Sequence, residues 1–149
     1  MYNTSFRILK SSVEAEDVMQ ESFLIAFTKL STFKGKVTFG SWLKRIVINK
    51  SISELRKNKK YDFVALDIIQ EISEEEQNDT TVYNNVSYTK IKEAMHQLKD
   101  NYNLILTLNL IEGYDSEEIA KIMNITYQNS RTMLSRAKRK MKILVQNTL

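Results

Sequence analysis

The chain has 149 residues, 42% of them hydrophobic and 27% charged, which is enough for one domain or two small ones with buried cores. It has no Cys, which excludes a disulfide framework and a thiolate metal site. It also shows no apolar run of membrane-spanning length and no signal peptide, so a cytoplasmic protein without membrane insertion is expected. Pro is absent and Gly occurs three times, a composition that favours helices over sharp turns.

Charge is unevenly placed. The net charge is +4 and the pI about 9.2. Residues 1–60 hold 12 basic and 5 acidic side chains, residues 61–88 hold 7 acidic and none basic, and residues 89–149 hold 10 basic and 6 acidic. Two basic blocks around an acidic bridge suggest two polyanion-facing modules and a connector.

In chain order, Tyr2, Phe6 and Leu9 fall on one face of a first helix that no capping residue precedes. Ser11 with Glu14 has capping-box spacing for the next helix. Met19, Phe23, Ala26, Phe27 and Leu30 predict its buried stripe. Glu14, Glu16, Asp17, Gln20 and Glu21 load its first turns with acidic and polar groups, which suits the helix dipole and also a basic docking partner. A break follows over residues 31–37, with Gly35 as the turn residue. Thr38 then opens a long helix to about Asn58, with Phe39, Trp42, Leu43, Ile46 and Val47 as its expected buried set. Lys44, Arg45, Lys50, Arg56, Lys57, Lys59 and Lys60 add cations to it. Rings mixed with cations beside a turn suit single-stranded nucleic acid, because bases stack on ring faces while cations hold the backbone.

Residues 61–88 lose the helical period and are expected to form a flexible acidic linker, with Phe63, Val64, Leu66, Ile68 and Ile69 as an apolar exception. Periodicity returns near Ser87, where Ile91, Met95 and Leu98 mark a helix. Residues 104–111, LILTLNLI, also fit the alternation of a strand, but no second strand exists to pair with them, so a helix ending at Gly113 is expected.

The last stretch, Asp115 to Lys142, predicts a helix-turn-helix. Asp115 and Glu118 can form a capping box, and Ile119, Ile122 and Met123 share a face. Asn124 suits a left-handed turn residue, Ile125 plugs the angle, and Thr126 caps the second helix. Ser130, Leu134, Ala137, Met141 and Leu144 form a buried stripe. The opposite face shows Gln128, Asn129, Arg131, Thr132, Ser135, Arg136 and Arg139, residue types that bond base edges or phosphates in a major groove.

Catalytic chemistry is not supported. Glu93 and His96 have the Glu-x-x-His spacing of a di-iron bundle, but His96 is the sole histidine. No Ser-His-Asp set and no phosphate-cradling Gly-rich loop can be built, and the Glu74-Glu75-Glu76 run lacks the pattern of a calcium loop. No enzyme and no cofactor is expected.

The segments EAEDVMQESFLIAFTKL, FKGKVTFGSWLKRIVINKSISELRK and EGYDSEEIAKIMNITYQNSRTMLSRAKRKM, in that order around an acidic bridge, resemble a bacterial RNA polymerase sigma factor of the small extracytoplasmic-function group. The resemblance covers nearly the whole chain. It implies an all-α protein with a region-two bundle over 1–60, an acidic linker over 61–88 and a region-four helix-turn-helix domain over 89–149. It implies that Asp17, Gln20, Glu21 and Phe23 dock on the β′ clamp helices of core RNA polymerase. Phe33, Lys34, Phe39, Trp42, Lys44, Arg45 and Asn49 would open the −10 promoter element and hold one strand. The recognition helix would read the −35 element, with Arg131, Thr132, Ser135 and Arg136 at the matched contact positions, and its domain would touch the β flap. The linker would run near the RNA exit path. An anti-sigma factor is a candidate further partner.

The chain also departs from the family pattern. Family members carry a longer helix ahead of Tyr2, so the first helix is expected to start part-way in and to leave Met19 and Phe23 uncovered. Lys99 stands where Pro is usual, which predicts a helix running on further. Ser130 replaces an aliphatic residue, and Met133 replaces an Arg, which removes a phosphate cation. Tyr127 and Gln128 replace small residues. The competing readings are a stand-alone helix-turn-helix regulator and a scaffold protein that binds no DNA.

Overall fold

The computed structural model describes residues 1–59 and 88–147. Every regular element among them is helical. Contacts divide the chain into two units, Met1–Tyr61 and Asp62–Leu149.

The first unit holds α1 (Tyr2–Leu9), α2 (Ser12–Thr28), a single 3-10 turn (Leu30–Thr32) and α3 (Phe39–Lys59). No side chain caps α1 at its start. It ends at Lys10 in the left-handed conformation, φ 57°, which turns the chain straight into α2. Ser11 caps α2 by accepting from the Glu14 amide at 3.3 Å. The Glu14 carboxylate accepts instead from Asn58 Nδ2 on α3 at 2.6 Å, so it braces two helices. Each helix packs on the other two. The seam is built from Ile8, Leu9, Ala15, Val18, Ala26, Leu43, Val47, Ile48, Ile52 and Leu55, with Ser5, Ser22 and Ser51 fully buried between them. Small residues let the backbones approach closely. Ser51 Oγ donates to Val47 O at 2.7 Å and lies 3.0 Å from Ser5 Oγ. The buried Ser22 hydroxyl has no partner.

Three expected apolar faces are rotated. On α2 the buried side is Ala15, Val18, Ser22 and Ala26, while Phe23, Phe27 and Leu30 are exposed. A stripe drawn through the largest side chains picked the wrong face, because α2 meets the large side chains of α1 and α3 with its smaller ones, Ala15, Val18, Ser22 and Ala26. Of the pair expected to lie uncovered, Phe23 is exposed and Met19 half-buried. On α1, Ile8 and Leu9 are buried with Thr4 and Ser5, whereas Tyr2 is exposed and stacks on Phe6 at 6.0 Å between ring centroids. On α3, Leu43 and Val47 are buried as expected, but Phe39 is exposed and Trp42 and Ile46 are half-buried. Ile48, Ile52 and Leu55 take their places in the core.

The second unit holds α4 (Tyr88–Gln97), α5 (Asp100–Leu106) with a π turn (Thr107–Ile111), α6 (Ser116–Met123) and α7 (Tyr127–Asn147). The expected acidic linker and its apolar residues lie outside the described residues, apart from Tyr88, which opens α4. The expectation that α4 runs on past Lys99 is wrong. Lys99 has ψ 151° and precedes α5, and its carbonyl accepts from the Asn103 amide at 2.9 Å. An extended residue ends the helix without proline. Residues 104–111 are helical, and Leu104, Ile105, Leu106 and Leu108 are fully buried. The π turn shows in the bond from the Glu112 amide to Thr107 O at 3.0 Å. Gly113, φ 79°, then lets the Tyr114 amide reach back to Leu108 O at 2.9 Å.

Asp115 caps α6 in a full capping box, with Glu118 N to Asp115 Oδ1 at 2.8 Å and Asp115 N to Glu118 Oε1 at 3.3 Å. Asn124 takes the left-handed conformation, φ 56°, and the Ile125 amide closes on Ala120 O at 3.0 Å. Ile119, Ile122 and Met123 are buried as expected, and so are Ser130, Leu134 and Ala137; Met141 and Leu144 are half-buried. The Ser130 hydroxyl donates to Ser116 O at 2.8 Å, which satisfies a polar group where an aliphatic one is usual. Met133 is only 1% exposed and joins this core. Its position faces inward, so the substitution fills the core and takes no cation from the reading face.

Candidate nucleic-acid interface

Thr126 fixes the phase of α7 by accepting from the Asn129 amide at 3.1 Å. With 3.6 residues per turn, Gln128, Asn129, Arg131, Thr132, Ser135, Arg136 and Arg139 then fall within an arc of roughly 160°. The buried Ser130, Met133, Leu134 and Ala137 lie on the other side. Gln128, Arg131, Ser135 and Arg139 are exposed, and Asn129, Thr132 and Arg136 are half-buried. All seven sequence-derived positions therefore share one outward face, with exposed Lys138 and Lys140 at its margins. Sequence reasoning missed a feature at its start. Tyr127 is 53% exposed, and the Arg131 guanidinium lies 5.9 Å from its ring centroid. The four-residue spacing of an aromatic and an arginine was the available signal.

The second surface is at the start of α3. Thr38 Oγ1 accepts from the Ser41 amide at 3.2 Å and donates to Ser41 Oγ at 2.8 Å, so it caps the helix and sets Phe39 in its first turn. Gly35, φ 71°, turns the preceding segment and brings Phe33 back against α3. Three rings meet there, with Phe33–Phe39 at 5.6 Å, Phe33–Trp42 at 5.3 Å and Phe39–Trp42 at 5.6 Å between centroids. Phe39 is 48% exposed, and Phe33 and Trp42 are half-buried. The cluster therefore sits at the surface and is partly open to solvent. Arg45 and Asn49, three and seven residues beyond Trp42, lie on the same side of α3, and Lys34 is exposed in the turn. Lys44, two residues beyond Trp42, points to the opposite flank and is not brought to the cluster.

The third surface is the outward face of α2. It carries Val13, Glu16, Asp17, Gln20, Phe23, Leu24 and Phe27, all exposed. Val13 and Leu24 are each 68% exposed and Phe27 80%. A helix apolar on both sides has one side for its own core and another left for a partner. Leu24 and Phe27 belong to this face although sequence reasoning buried one and passed over the other. Glu21 stands apart. It accepts from Lys50 Nζ on α3 at 2.6 Å, so it works as a brace at the edge of the face. The hydrogen bond to Glu21 raises the Lys50 ammonium above the ordinary lysine value; partial burial opposes this, and the charges of Glu21 and Glu54 add to it.

Among the described residues no group of three or more His, Cys, Asp or Glu could hold a metal ion, and no helix is long and apolar enough to cross a membrane. A three-helix unit with a ring cluster at its surface, together with a helix-turn-helix unit, defines an all-helical class of protein suited to nucleic acid. The sequence comparisons agree. Residues 1–61 match sigma-70 region 2 and residues 88–141 match sigma-70 region 4. The chain belongs to the sigma-70 family of RNA polymerase sigma factors. Within that family it is a member of the extracytoplasmic-function group.

Its relatives include sigma factor SigM of Bacillus subtilis, 30% identical over 151 residues, covering 95% of this chain and 88% of that one. SigV of the same organism is 29% identical over 146 residues, covering 96% and 81%. Among solved structures, the sigma factor RpoE of Bartonella quintana, determined with the anti-sigma factor NepR, matches with TM-score 0.66 and 20% identity over 97% of this chain and 89% of that one. CnrH, determined with the cytosolic domain of CnrY, matches with TM-score 0.58 and 18% identity over 98% and 80%. At these identities the solved structures show a shared fold. As a member of this family the chain is a transcription initiation factor that binds core RNA polymerase and directs it to promoter DNA.

Proposed function

We propose that the three surfaces divide the work of initiation. The exposed apolar and acidic face of α2, through Asp17, Gln20, Phe23, Leu24 and Phe27, docks on a basic surface of core polymerase. The Phe33–Phe39–Trp42 cluster, with Lys34, Arg45 and Asn49, captures unpaired bases of the −10 element. The seven-residue face of α7 reads the −35 element as duplex. The chain contributes binding alone and no catalytic group, and its site of action is that of the polymerase in the cytoplasm. The segment between the units serves as the linker. The anti-sigma factor bound to one solved relative supports a partner of that kind here too.

The observation that carries this reading is the exposed ring cluster. Flipping a base out of the stack requires a few kcal/mol, and stacking on a ring returns about 1–3 kcal/mol per base. A stand-alone helix-turn-helix regulator binds closed duplex and has no use for a surface cluster of three rings on a separate unit.

Run-off transcription with core polymerase on a genomic library tests the reading and yields the promoters as start sites. Defined start sites that depend on the chain are expected, together with weak duplex binding in the absence of polymerase and steep weakening at higher salt. Tight, site-specific duplex binding by the chain alone, with no stimulation of transcription, would establish the stand-alone regulator instead. Binding that is insensitive to salt would favour the scaffold reading.

A further inference from the structure

The Glu21–Lys50 pair stands on the border between two of the three surfaces. On α2, Glu21 lies four residues after Asp17 and three before Leu24, so it adjoins the docking face along one edge. On α3, Lys50 lies eleven residues beyond Phe39. That spacing is close to three helical turns and places it within about 20° of Phe39 around the helix and about 16 Å along it. Its Nζ reaches across to α2 and donates to Glu21 Oε2 at 2.6 Å. The two side chains are 27% and 52% exposed, so other charges can reach both. Glu54, four residues beyond Lys50, adds a smaller attraction from α3 itself.

We propose that Lys50 is a further strand-binding residue, held by Glu21 in the free chain and released to a phosphate of the −10 strand when Glu21 meets a cation of core polymerase. The inference rests on the readings that α2 docks on the polymerase and that the ring cluster captures the strand. A partly exposed ion pair contributes no more than about fivefold to an equilibrium constant, so a competing cation displaces Lys50 easily. A strand that stacks on Phe39 and follows α3 passes over Lys50. Stacking holds the bases and leaves the phosphate charge unmet, and a cation on the same line of the helix meets it. One internal pair is thereby exchanged for two external ones, Glu21 with the polymerase and Lys50 with the strand. Each binding event favours the other, because both draw on the same pair.

The test compares wild type with Glu21→Gln, Lys50→Met and the double variant. Free chains are titrated against a labelled oligothymidylate by fluorescence anisotropy, and holoenzymes are assayed for open-complex formation on a promoter mapped by run-off transcription. In the free chain, Glu21→Gln should tighten oligothymidylate binding by about twofold to fivefold at low salt, and the gain should vanish in the double variant. Lys50→Met should cost more in the holoenzyme than in the free chain. There it should weaken the open complex severalfold and make the log–log salt dependence shallower by about 0.7, the share of one single-strand phosphate contact. Lys50→Arg, which keeps the charge, should restore the open complex.

No gain from Glu21→Gln in the free chain would mean that the pair does not restrain Lys50, and would overturn the proposal. So would a gain that survives in the double variant, or a loss from Lys50→Met as large in the free chain as in the holoenzyme. A Lys50→Arg holoenzyme as impaired as Lys50→Met would assign Lys50 to packing and overturn it likewise. Phe39→Ala separates the proposal from the reading beneath it. If Phe39→Ala weakens the open complex and Lys50→Met does not, the proposal fails and the strand-capture reading stands. If neither weakens it, both fail.

Discussion

Phe27→Ala separates a docking side chain from a core side chain. Phe27 is 80% exposed in the free protein, so its removal takes almost nothing from the fold. Fully burying a phenylalanine contributes about 1.5–3 kcal/mol, and most of that is still available at this position when a partner covers it. The expected loss in affinity for core polymerase is therefore about 1–2.5 kcal/mol, or roughly 5- to 60-fold in Kd. Melting of the free protein should shift by no more than about 2–3 °C, since exposed sites away from special features move stability by at most about 0.5 kcal/mol. Ile48→Ala is the internal comparison. Ile48 is fully buried, and the same truncation there should destabilise the first unit by about 2–5 kcal/mol. Fluorescence anisotropy of labelled protein titrated with core polymerase gives Kd, and a thermal melt gives stability. A normal Kd for Phe27→Ala would refute the docking face, and a fall in melting temperature of several degrees would refute its exposure.

Further measurements probe the other surfaces and the braces. Arg136→Ala should weaken binding by about 1–3 kcal/mol at one position of the −35 element, seen as a changed footprint on promoter variants; an unchanged footprint removes Arg136 from the reading set. Asp115→Ala removes the cap of α6 and should destabilise the second unit by about 1 kcal/mol, a drop of about 5 °C for a domain of this size in a calorimetric scan. The Glu21–Lys50 pair should stabilise the first unit by less than about 1 kcal/mol, because both groups are partly exposed. Its folded-state pKa lies above the ordinary 10.5, so Lys50 adds stability that is complete below that value and is lost as pH rises through the raised pKa. The difference in melting between wild type and Lys50→Met should accordingly persist at neutral pH and disappear in strong alkali. Ser22→Ala should leave melting unchanged or raise it, because the buried hydroxyl it removes has no hydrogen-bond partner.

The sequence by itself determined most of what depends on near neighbours along the chain. The capping box at Asp115, the left-handed Asn124 and the Thr126 cap all rest on bonds spanning three to five residues, and each residue type carries its own preference. Those local signals also fixed the phase of α7, so its seven polar positions fell on one face from spacing alone. The tertiary structure decided which of two apolar faces is the core. On α2, hydrophobicity points to Phe23 and Phe27, yet the side covered by α1 and α3 is Ala15, Val18, Ser22 and Ala26. On α3, Trp42 and Phe39 are drawn outward to meet Phe33, a pairing set by how Gly35 turns the chain. Glu21 has the charge of a docking residue, but Lys50 on a distant helix turn holds it as a brace. Met133 reads as a lost cation and is a core residue, because its position on α7 falls beside Ser130 and Ala137 on the buried side. Local chemistry fixes where most helices start, stop and turn; how the helices pack on one another decides which side chains are covered and which are left for a partner.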